Sequence, residues 1–380
     1  MPRSPIVLVC CLFVAGVAGR IALDGWGSAG HAAPLEASVS AAAGDASVDE
    51  TPQPSHQGHE LFPVPTFGGK QFWGDEYFYR EYRIQHHVLT SQFRLLDDQD
   101  RRHAAGSFDD CRRALQRIVG PEKMTPMRGT AVLVLHGLGR SRACMEPLCD
   151  RLRRETGWWV FNIGYPSTRC EIAAHAQVLA QILESLPEIE EIHIVAHSMG
   201  NIVVRHYLGD CGAAGSTRRV DPRIRRMVML GPPNHGSLLA TLLAENELFA
   251  VLLGTPGQQL GRQWAQLEPR LAVPRFEFAV IAGGLGDSQG FNALLPGDDD
   301  GIVAVDSTRL SGSRDFLVLP VYHTFLVDDA RVMQYTLNFL LKGQFSTPGQ
   351  RRPSAVSATG VSVSSIKADA ARCNAAGGGP

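Results

Sequence analysis

The 380-residue sequence predicts an α/β fold: a mostly parallel, doubly wound sheet with helices on both faces. From Thr130 onward, short apolar runs of strand length alternate with stretches that carry apolar residues at helical spacing. That alternation is typical of βαβ crossovers. The first run, Thr130–Leu135, is continuously apolar, as expected of a strand buried on both faces. A third sign is Ile192–Tyr207, which reads as a strand, a sharp turn and a helix with a serine at the turn.

Composition and charge exclude several classes of protein. The chain is 44% hydrophobic and 19% charged with a formal net charge of −2, so a sizeable core is expected. No basic stripe interleaved with aromatics occurs, so we expect no nucleic-acid partner. The eight cysteines form no C-x-x-C pair, and H-E-x-x-H is absent; we therefore expect no metal site. Five cysteines lie in the globular part, and their pairing is not legible from sequence.

The first residues indicate an exported protein. Met1-Pro2-Arg3 precedes the apolar run Ile6–Ala18, which fits a signal peptide and is short for a membrane span. An uncleaved anchor is the alternative. We assign 1–33 to this leader, 34–65 to a flexible linker and 344–380 to a disordered tail. The linker and the tail are both rich in small and polar residues.

Residues 66–127 are predicted to form a helical N-terminal extension before the main domain, 128–343. Six aromatics crowd into Phe72–Tyr82, and Ile84, Val88 and Leu89 follow at helical spacing. An aromatic face docked on the main domain is favoured over a lipid-binding surface.

The main domain is then taken in order. Predicted strands and helices alternate, and the loops that follow the strands carry the polar motifs. In such sheets, sites form at the carboxyl ends of strands. The predicted strands are Thr130–Leu135, Trp158–Ile163, Ile192–Val195, Arg226–Leu230, Phe276–Ala282 and Phe316–Leu319; the predicted helices include Glu146–Glu155, Glu171–Leu186 and Asp329–Leu341.

Ser198 is the candidate nucleophile. It lies in A-H-S-M-G, where Ala196 and Gly200 are small enough for a tight strand-turn-helix elbow. A serine hydroxyl needs a base. Of the thirteen histidines, His323 alone follows the last strand and precedes the last helix.

The histidine in turn needs a carboxylate to orient it. The candidates after the strand Phe276–Ala282 are Asp287, Asp298, Asp299, Asp300 and Asp306. Asp300 is preferred because Gly301-Ile302-Val303 returns at once to apolar packing. The order Ser198, Asp300, His323 is the one found in folds with a nucleophile elbow.

Two loops complete the predicted site. The turn His136-Gly137-Leu138-Gly139 follows the first strand, and we expect the backbone N–H groups of Leu138 and Met199 to form an oxyanion hole. We expect His136, Gly137 and Asn234 to bind substrate or shape the wall of the site. The Leu-rich segment Ser237–Leu253 is either a lid or acyl-binding segment or an ordinary crossover helix pair.

Together, H-G-L-G, A-H-S-M-G-N, P-P-N-x-G-S, D-G-I-V and the late histidine resemble the α/β-hydrolase superfamily over about residues 130–342. Within it the chain is similar to bacterial triacylglycerol lipases and esterases, and to PGAP1-like serine esterases. The calcium-binding carboxylates of Pseudomonas-type lipases have no clear match. The resemblance implies an α/β-hydrolase fold and a Ser-His-Asp carboxylic ester hydrolase that needs no cofactor.

The resemblance further implies an ester or lipid substrate and association with a membrane surface, and leaves the oligomeric state open. An acyltransferase on the same triad and a catalytically silent surface scaffold are the alternatives. Neither is separated from the esterase by sequence.

Overall fold

The computed structural model describes residues 64–65, 71–243 and 247–345. The predicted leader 1–33, most of the predicted linker 34–65 and residues 346–380 of the predicted tail lie outside the described residues. Within the described residues, no helix is both long and apolar enough to cross a membrane.

Two sheets organise the chain. A five-stranded antiparallel sheet comes first, and a six-stranded parallel sheet follows. The strands are β1 Val64–Pro65, β2 Trp73–Tyr79, β3 Tyr82–His87, β4 Phe93–Leu96, β5 Arg101–Gly106, β6 Gly129–Leu135, β7 Trp159–Ile163, β8 Ile189–His197, β9 Ile224–Leu230, β10 Glu277–Gly283 and β11 Asp315–Leu319.

Nine α-helices surround these strands in the described part of the chain. Six of them span 11 residues or more, and one of these six, Glu247–Leu260, is kinked at Gly254. The other three are short, with four to six residues. They are α1 Phe108–Val119, α2 Glu146–Thr156, α3 Ile172–Glu184, α4 Met199–Gly212, α5 Leu238–Leu243, α6 Glu247–Leu260, α7 Trp264–Leu267, α8 Val305–Thr308 and α9 Ala330–Lys342.

The parallel sheet confirms the predicted doubly wound fold. Its strand order is β11-β10-β9-β8-β6-β7, and every neighbouring pair is parallel. The chain runs from β6 to the edge strand β7 and then crosses back to β8. The connection that leaves β6 runs toward β7, and the connection that leaves β8 runs the opposite way toward β9. The switch point, where open α/β sheets form their binding crevice, therefore lies between β6 and β8. Helices cover both faces: α3 and α4 pack on one side, α2 and α9 on the other.

The prediction of a helical N-terminal extension is wrong for residues 73–106. Residues 73–106 form strands β2–β5, and α1 is the one α-helix in the described part of the extension. Phe78 packs against Phe161 of the main sheet with ring centroids 5.3 Å apart. Phe78, Ile84 and Leu95 belong to the same apolar cluster as α3 and α4. The predicted packing of an aromatic face on the main domain is confirmed, but that face belongs to a sheet and not to a helix.

The buried polar residues of this sheet explain why the helical prediction was wrong. Asp75, Arg83 and Gln85 are buried in β2 and β3, so apolar residues do not alternate as they do in an ordinary half-buried strand. A register shift between Asp75 and Tyr77 breaks the two-residue period again. The remaining apolar positions, such as Ile84 and Val88, happen to fall four residues apart.

Four buried histidines make folding sensitive to acid. Burial lowers the pKa of His136 and of His193 to about 4, that of His175 to about 3, and that of His197 well below its usual value. Each is therefore neutral in the folded protein at pH values where an unfolded histidine, with a pKa near 6.5, takes up a proton.

We predict that the protein loses stability as the pH falls from about 7 to 5. In that range the unfolded state binds more protons, so the free energy of unfolding decreases by up to about 1.4 kcal/mol per pH unit for each such histidine. The measurement is Tm against pH by circular dichroism. The control is His175→Leu, whose Tm should fall less steeply over the same range. Equal slopes for the two proteins contradict the prediction.

Candidate active site

Ser198 has a strained backbone between β8 and α4. Its φ of 54° and ψ of −124° lie in a region that L-residues rarely occupy. The Ser198 N–H donates to the carbonyl of Leu230 at 2.9 Å. Asn201 donates from its side-chain amide to the Ser198 carbonyl at 3.0 Å. These bonds fix the turn and hold the hydroxyl-bearing residue at the carboxyl end of β8.

Two glycines allow neighbouring chain segments to approach this turn. A Cβ on Gly137 would lie 2.9 Å from the Cβ of Ser198, and a Cβ on Gly200 would lie 2.9 Å from the carbonyl oxygen of His136. Both distances are shorter than real Cβ contacts. The glycines thus let the end of β6 lie directly against the serine turn.

His323 is held by Asp300 on the far side of the same cleft. The His323 Nδ1 lies 2.6 Å from the Asp300 Oδ2, and both residues are buried. Asp300 Oδ1 accepts the N–H groups of Ile302 and Val303 at 3.0 and 2.7 Å. A carboxylate only accepts hydrogen bonds, so Nδ1 carries the proton and Nε2 is left with its lone pair.

The carboxylates of the other candidate acids bond to groups other than His323. Asp298 accepts the N–H groups of Leu285 and Gly286. Asp299 accepts those of Asn292 and Gly301. Asp287 caps Gln289 and Gly290, and Asp306 pairs with Arg309. Asp300 is the candidate that contacts His323.

The predicted oxyanion donors lie beside Ser198. Leu138 lines the cleft together with Ser198 and His323. Among the described residues, the Leu138 N–H has no hydrogen-bond partner. Met199 is the first residue of α4, where N–H groups lack partners within the helix. This arrangement leaves both groups available to a developing negative charge.

Gly137 lines the cleft as expected, but His136 and Asn234 do not. Both side chains are fully buried. The Asn234 side chain donates to the Thr308 carbonyl at 2.8 Å and accepts from Arg205. Its amide therefore ties the loop after β9 to Thr308 and Arg205. The expectation that His136 and Asn234 contact substrate is corrected: both side chains lie behind the cleft surface and support its walls.

His197 is a site residue that the sequence interpretation missed. It lines the cleft, and its Nε2 lies 3.0 Å from the carbonyl oxygen of His323. Because a carbonyl only accepts, Nε2 donates and the ring holds the backbone of His323 in place. The ring centroids of His197 and His323 are 4.7 Å apart. The only sequence signal was its position directly before the serine.

Apolar side chains form most of the remaining cleft wall. The cleft measures about 760 Å³, counting space open to solvent. Helices α5 and α6 supply Leu239, Leu243, Leu253 and Leu260. The Leu-rich segment after β9 is thus a wall of the site and not merely a crossover. A polar end with Ser198 and His323 and an apolar body suit an amphipathic ligand.

Within the residues that the structure describes, no group of three His, Cys, Asp or Glu side chains could hold a metal ion. Cys111, Cys144, Cys149, Cys170 and Cys211 are all free thiols.

Comparison with known proteins agrees with this fold. A family model described as "alpha/beta hydrolase of unknown function (DUF900)" matches residues 159–235, which span β7 to the loop after β9. No curated protein sequence matches the chain.

Solved structures with a similar chain path include three bacterial proteins. The lin2722 gene product of Listeria innocua is 16% identical, with 58% of this chain and 96% of that chain covered and a TM-score of 0.39. Bacillus licheniformis lipase BlEst2 is 19% identical, with 56% and 89% covered and a TM-score of 0.39. Bacillus subtilis carboxylesterase CesB is 14% identical, with 56% and 84% covered and a TM-score of 0.35.

The class of protein follows from the chain's own sheet order and strained serine turn, together with the family model. The chain has the α/β-hydrolase fold. The family model over residues 159–235 agrees with the resemblance to the α/β-hydrolase superfamily that the sequence motifs carry.

We predict that Asp300→Asn slows labelling of the protein by a fluorophosphonate probe by about 10³–10⁴-fold. The amide leaves His323 without a partner that fixes its tautomer, as in serine proteases, where this change has an effect of that size. The measurement is the second-order rate constant of labelling. Asp298→Asn and Asp299→Asn are the matched controls and should change the rate less than about tenfold, because neither carboxylate contacts His323. A larger loss in either control refutes the choice of Asp300.

Proposed function

We propose that the protein is a serine hydrolase that cleaves carboxylic esters with apolar acyl groups. The observation that carries this proposal is the buried Asp300–His323 pair at 2.6 Å, which shares one apolar cleft with the strained Ser198.

In the proposed reaction, Ser198 Oγ attacks the ester carbonyl carbon while its proton passes to Nε2 of His323. The Asp300 carboxylate stabilises the imidazolium that forms, because it accepts the Nδ1–H bond. The bond from carbon to the alcohol oxygen then breaks, and His323 gives its proton to the leaving alcohol. Water, activated by the same His323, hydrolyses the acyl-enzyme and restores Ser198.

The N–H groups of Leu138 and Met199 bind the oxyanion of each tetrahedral intermediate. Donors fixed before the reaction stabilise developing charge without reorganisation, and each such donor typically contributes about 10²–10³ in rate. His197 keeps His323 in register with Ser198 through its bond to the His323 carbonyl.

The apolar walls support an acyl group as the part of the substrate that enters the cleft. Leu239, Leu243, Leu253 and Leu260 line one side, and Ile302 and Val303 line another. Burial of each CH₂ contributes about 0.8 kcal/mol, so longer acyl chains should gain affinity until the cleft is filled.

Exposed apolar residues beside the cleft support association with a lipid surface. Leu238 and Leu242 are exposed on α5, whose opposite face lines the cleft, and Tyr322 and Phe325 flank the His323 turn. Phe325 is 58% exposed. Apolar groups clustered at the cleft would bind the surface that holds the substrate.

We predict that Ser198→Ala abolishes turnover of p-nitrophenyl esters of every chain length, because Ser198 is the hydroxyl residue of the cleft that occupies the strained turn after β8. The wild-type kcat/KM should rise from the acetate to longer esters. The far-ultraviolet circular dichroism spectrum of the variant, unchanged, serves as the folding control. Undiminished activity in Ser198→Ala sinks the proposal, and product analysis with added acceptor alcohol distinguishes hydrolysis from acyl transfer.

We further predict that Leu242→Ser with Phe325→Ser lowers activity on an emulsified triacylglycerol several-fold but leaves activity on a dissolved short-chain ester within about twofold. Both side chains are exposed, so the change removes surface contacts without opening the core. Leu89→Ser, at an exposed position in the turn between β3 and β4, is the control. Equal effects on the two substrates would argue against surface binding.

A further inference from the structure

The peptide group that carries the Leu138 N–H is held by its other end. The carbonyl of Gly137 and the N–H of Leu138 belong to one planar peptide and point in opposite directions. The Gly137 carbonyl accepts the His136 Nδ1–H at 2.9 Å and the Arg140 N–H at 3.3 Å. The orientation of the proposed oxyanion donor is therefore set by the ring of His136.

The ring of His136 is fixed in turn by Tyr165. The Tyr165 N–H donates to the His136 Nε2 at 3.3 Å, so Nε2 is unprotonated and Nδ1 carries the hydrogen. The Tyr165 hydroxyl donates to the His136 carbonyl, and the two rings stack with centroids 4.2 Å apart. Burial lowers the pKa of His136 to about 4, so this neutral tautomer persists across the neutral range.

Tyr165 is held by the N-terminal sheet. It follows Gly164, whose N–H donates to the Asp75 Oδ2 at 2.6 Å, while the Asp75 N–H donates to the Gly164 carbonyl at 2.8 Å. A Cβ on Gly164 would lie 3.1 Å from that carboxylate oxygen. Asp75 thus pairs with this residue through both backbone and side chain.

The same sheet also holds the other end of the turn. Gln71, two residues before β2, donates from Nε2 to the carbonyl of Arg140 at 2.7 Å. Its Oε1 accepts the Thr168 hydroxyl at 3.2 Å. Segment 71–75 therefore supports both ends of the turn 136–140. Gln71 bonds directly to its last residue, and Asp75 acts on its first residue through Gly164 and Tyr165.

We propose that Gln71 and Asp75, acting through Tyr165 and His136, are positioning residues for the Leu138 N–H, so that the N-terminal sheet is part of the machinery for ester hydrolysis. This inference rests on the function proposed above. None of the four side chains lines the cleft. Their effect is to keep one hydrogen-bond donor aimed at the oxyanion.

The test compares Tyr165→Phe and Gln71→Leu with wild type on a soluble p-nitrophenyl ester. Tyr165→Phe keeps the ring stack and removes one hydrogen bond to His136; Gln71→Leu acts at a half-buried position. Misplacing a donor by a fraction of an ångström weakens the transition state more than the bound ester, so kcat should fall by about 10- to 100-fold with KM within about twofold.

Tyr79→Phe is the matched control. Like Tyr165, Tyr79 is buried and donates its hydroxyl to a backbone carbonyl, that of Thr125, at 3.0 Å; it lies in β2 of the N-terminal sheet. A role in stability alone would lower Tm in Tyr79→Phe and Tyr165→Phe alike and leave kcat alike. We expect kcat to fall only in Tyr165→Phe.

A second readout isolates the oxyanion hole. A trifluoromethyl ketone forms a tetrahedral adduct with a serine nucleophile, and its Ki should rise in proportion to the loss of kcat/KM in both variants. An unchanged Ki and kcat in Tyr165→Phe and Gln71→Leu overturns the positioning role. If Tyr165→Phe fails to fold, Gln71→Leu decides. Loss of activity in Ser198→Ala with no effect in these variants leaves the proposed function intact and rejects only this inference.

Discussion

The left-handed backbone of Ser198 is the constraint on which the rest of the site depends. Such a conformation costs about 1–3 kcal/mol, so the surrounding structure must impose it. The Leu230 carbonyl and the Asn201 amide hold the turn. It also needs neighbours without side chains, because any Cβ at Gly137 or Gly200 would meet the turn or the end of β6. The strand order places β6 and β9 on either side of β8, which brings these contacts to one point.

Around that point, each polar group is oriented by a bond on the side away from the cleft. Asp300 holds Nδ1 of His323, and His197 holds its carbonyl. His136 holds the carbonyl of the peptide that carries the Leu138 N–H, the proposed oxyanion donor. A cleft built in this way can be lined mostly by apolar side chains, since the orienting bonds lie behind its surface.

The sequence predicted those parts that depend on local constraints. Parallel strands buried on both faces are continuous apolar runs, and the small residues around Ser198 reflect one tight turn. Asp300 could be chosen because its neighbours return to the core. By contrast, β2 and β3 were taken for helix because buried Asp75, Arg83 and Gln85 conceal their alternation. The direction of the His136 and Asn234 side chains depends on Tyr165 and Arg205, which are distant in sequence.

The polar interior of the N-terminal sheet follows from the place of Asp75. A carboxylate buried beside Gly164 loses its hydration and needs a compensating charge and hydrogen bonds. Arg83 lies 3.4 Å from Asp75 Oδ1, and the Gln85 amide donates to the same atom at 2.7 Å. Burial lowers the pKa of Arg83 to about 10, still high enough to keep its charge at neutral pH. An apolar pair would fill this space at lower desolvation cost, but it could not accept the Gly164 N–H. The buried charges are therefore best understood as the means by which the sheet grips the strand end that supports the candidate oxyanion turn.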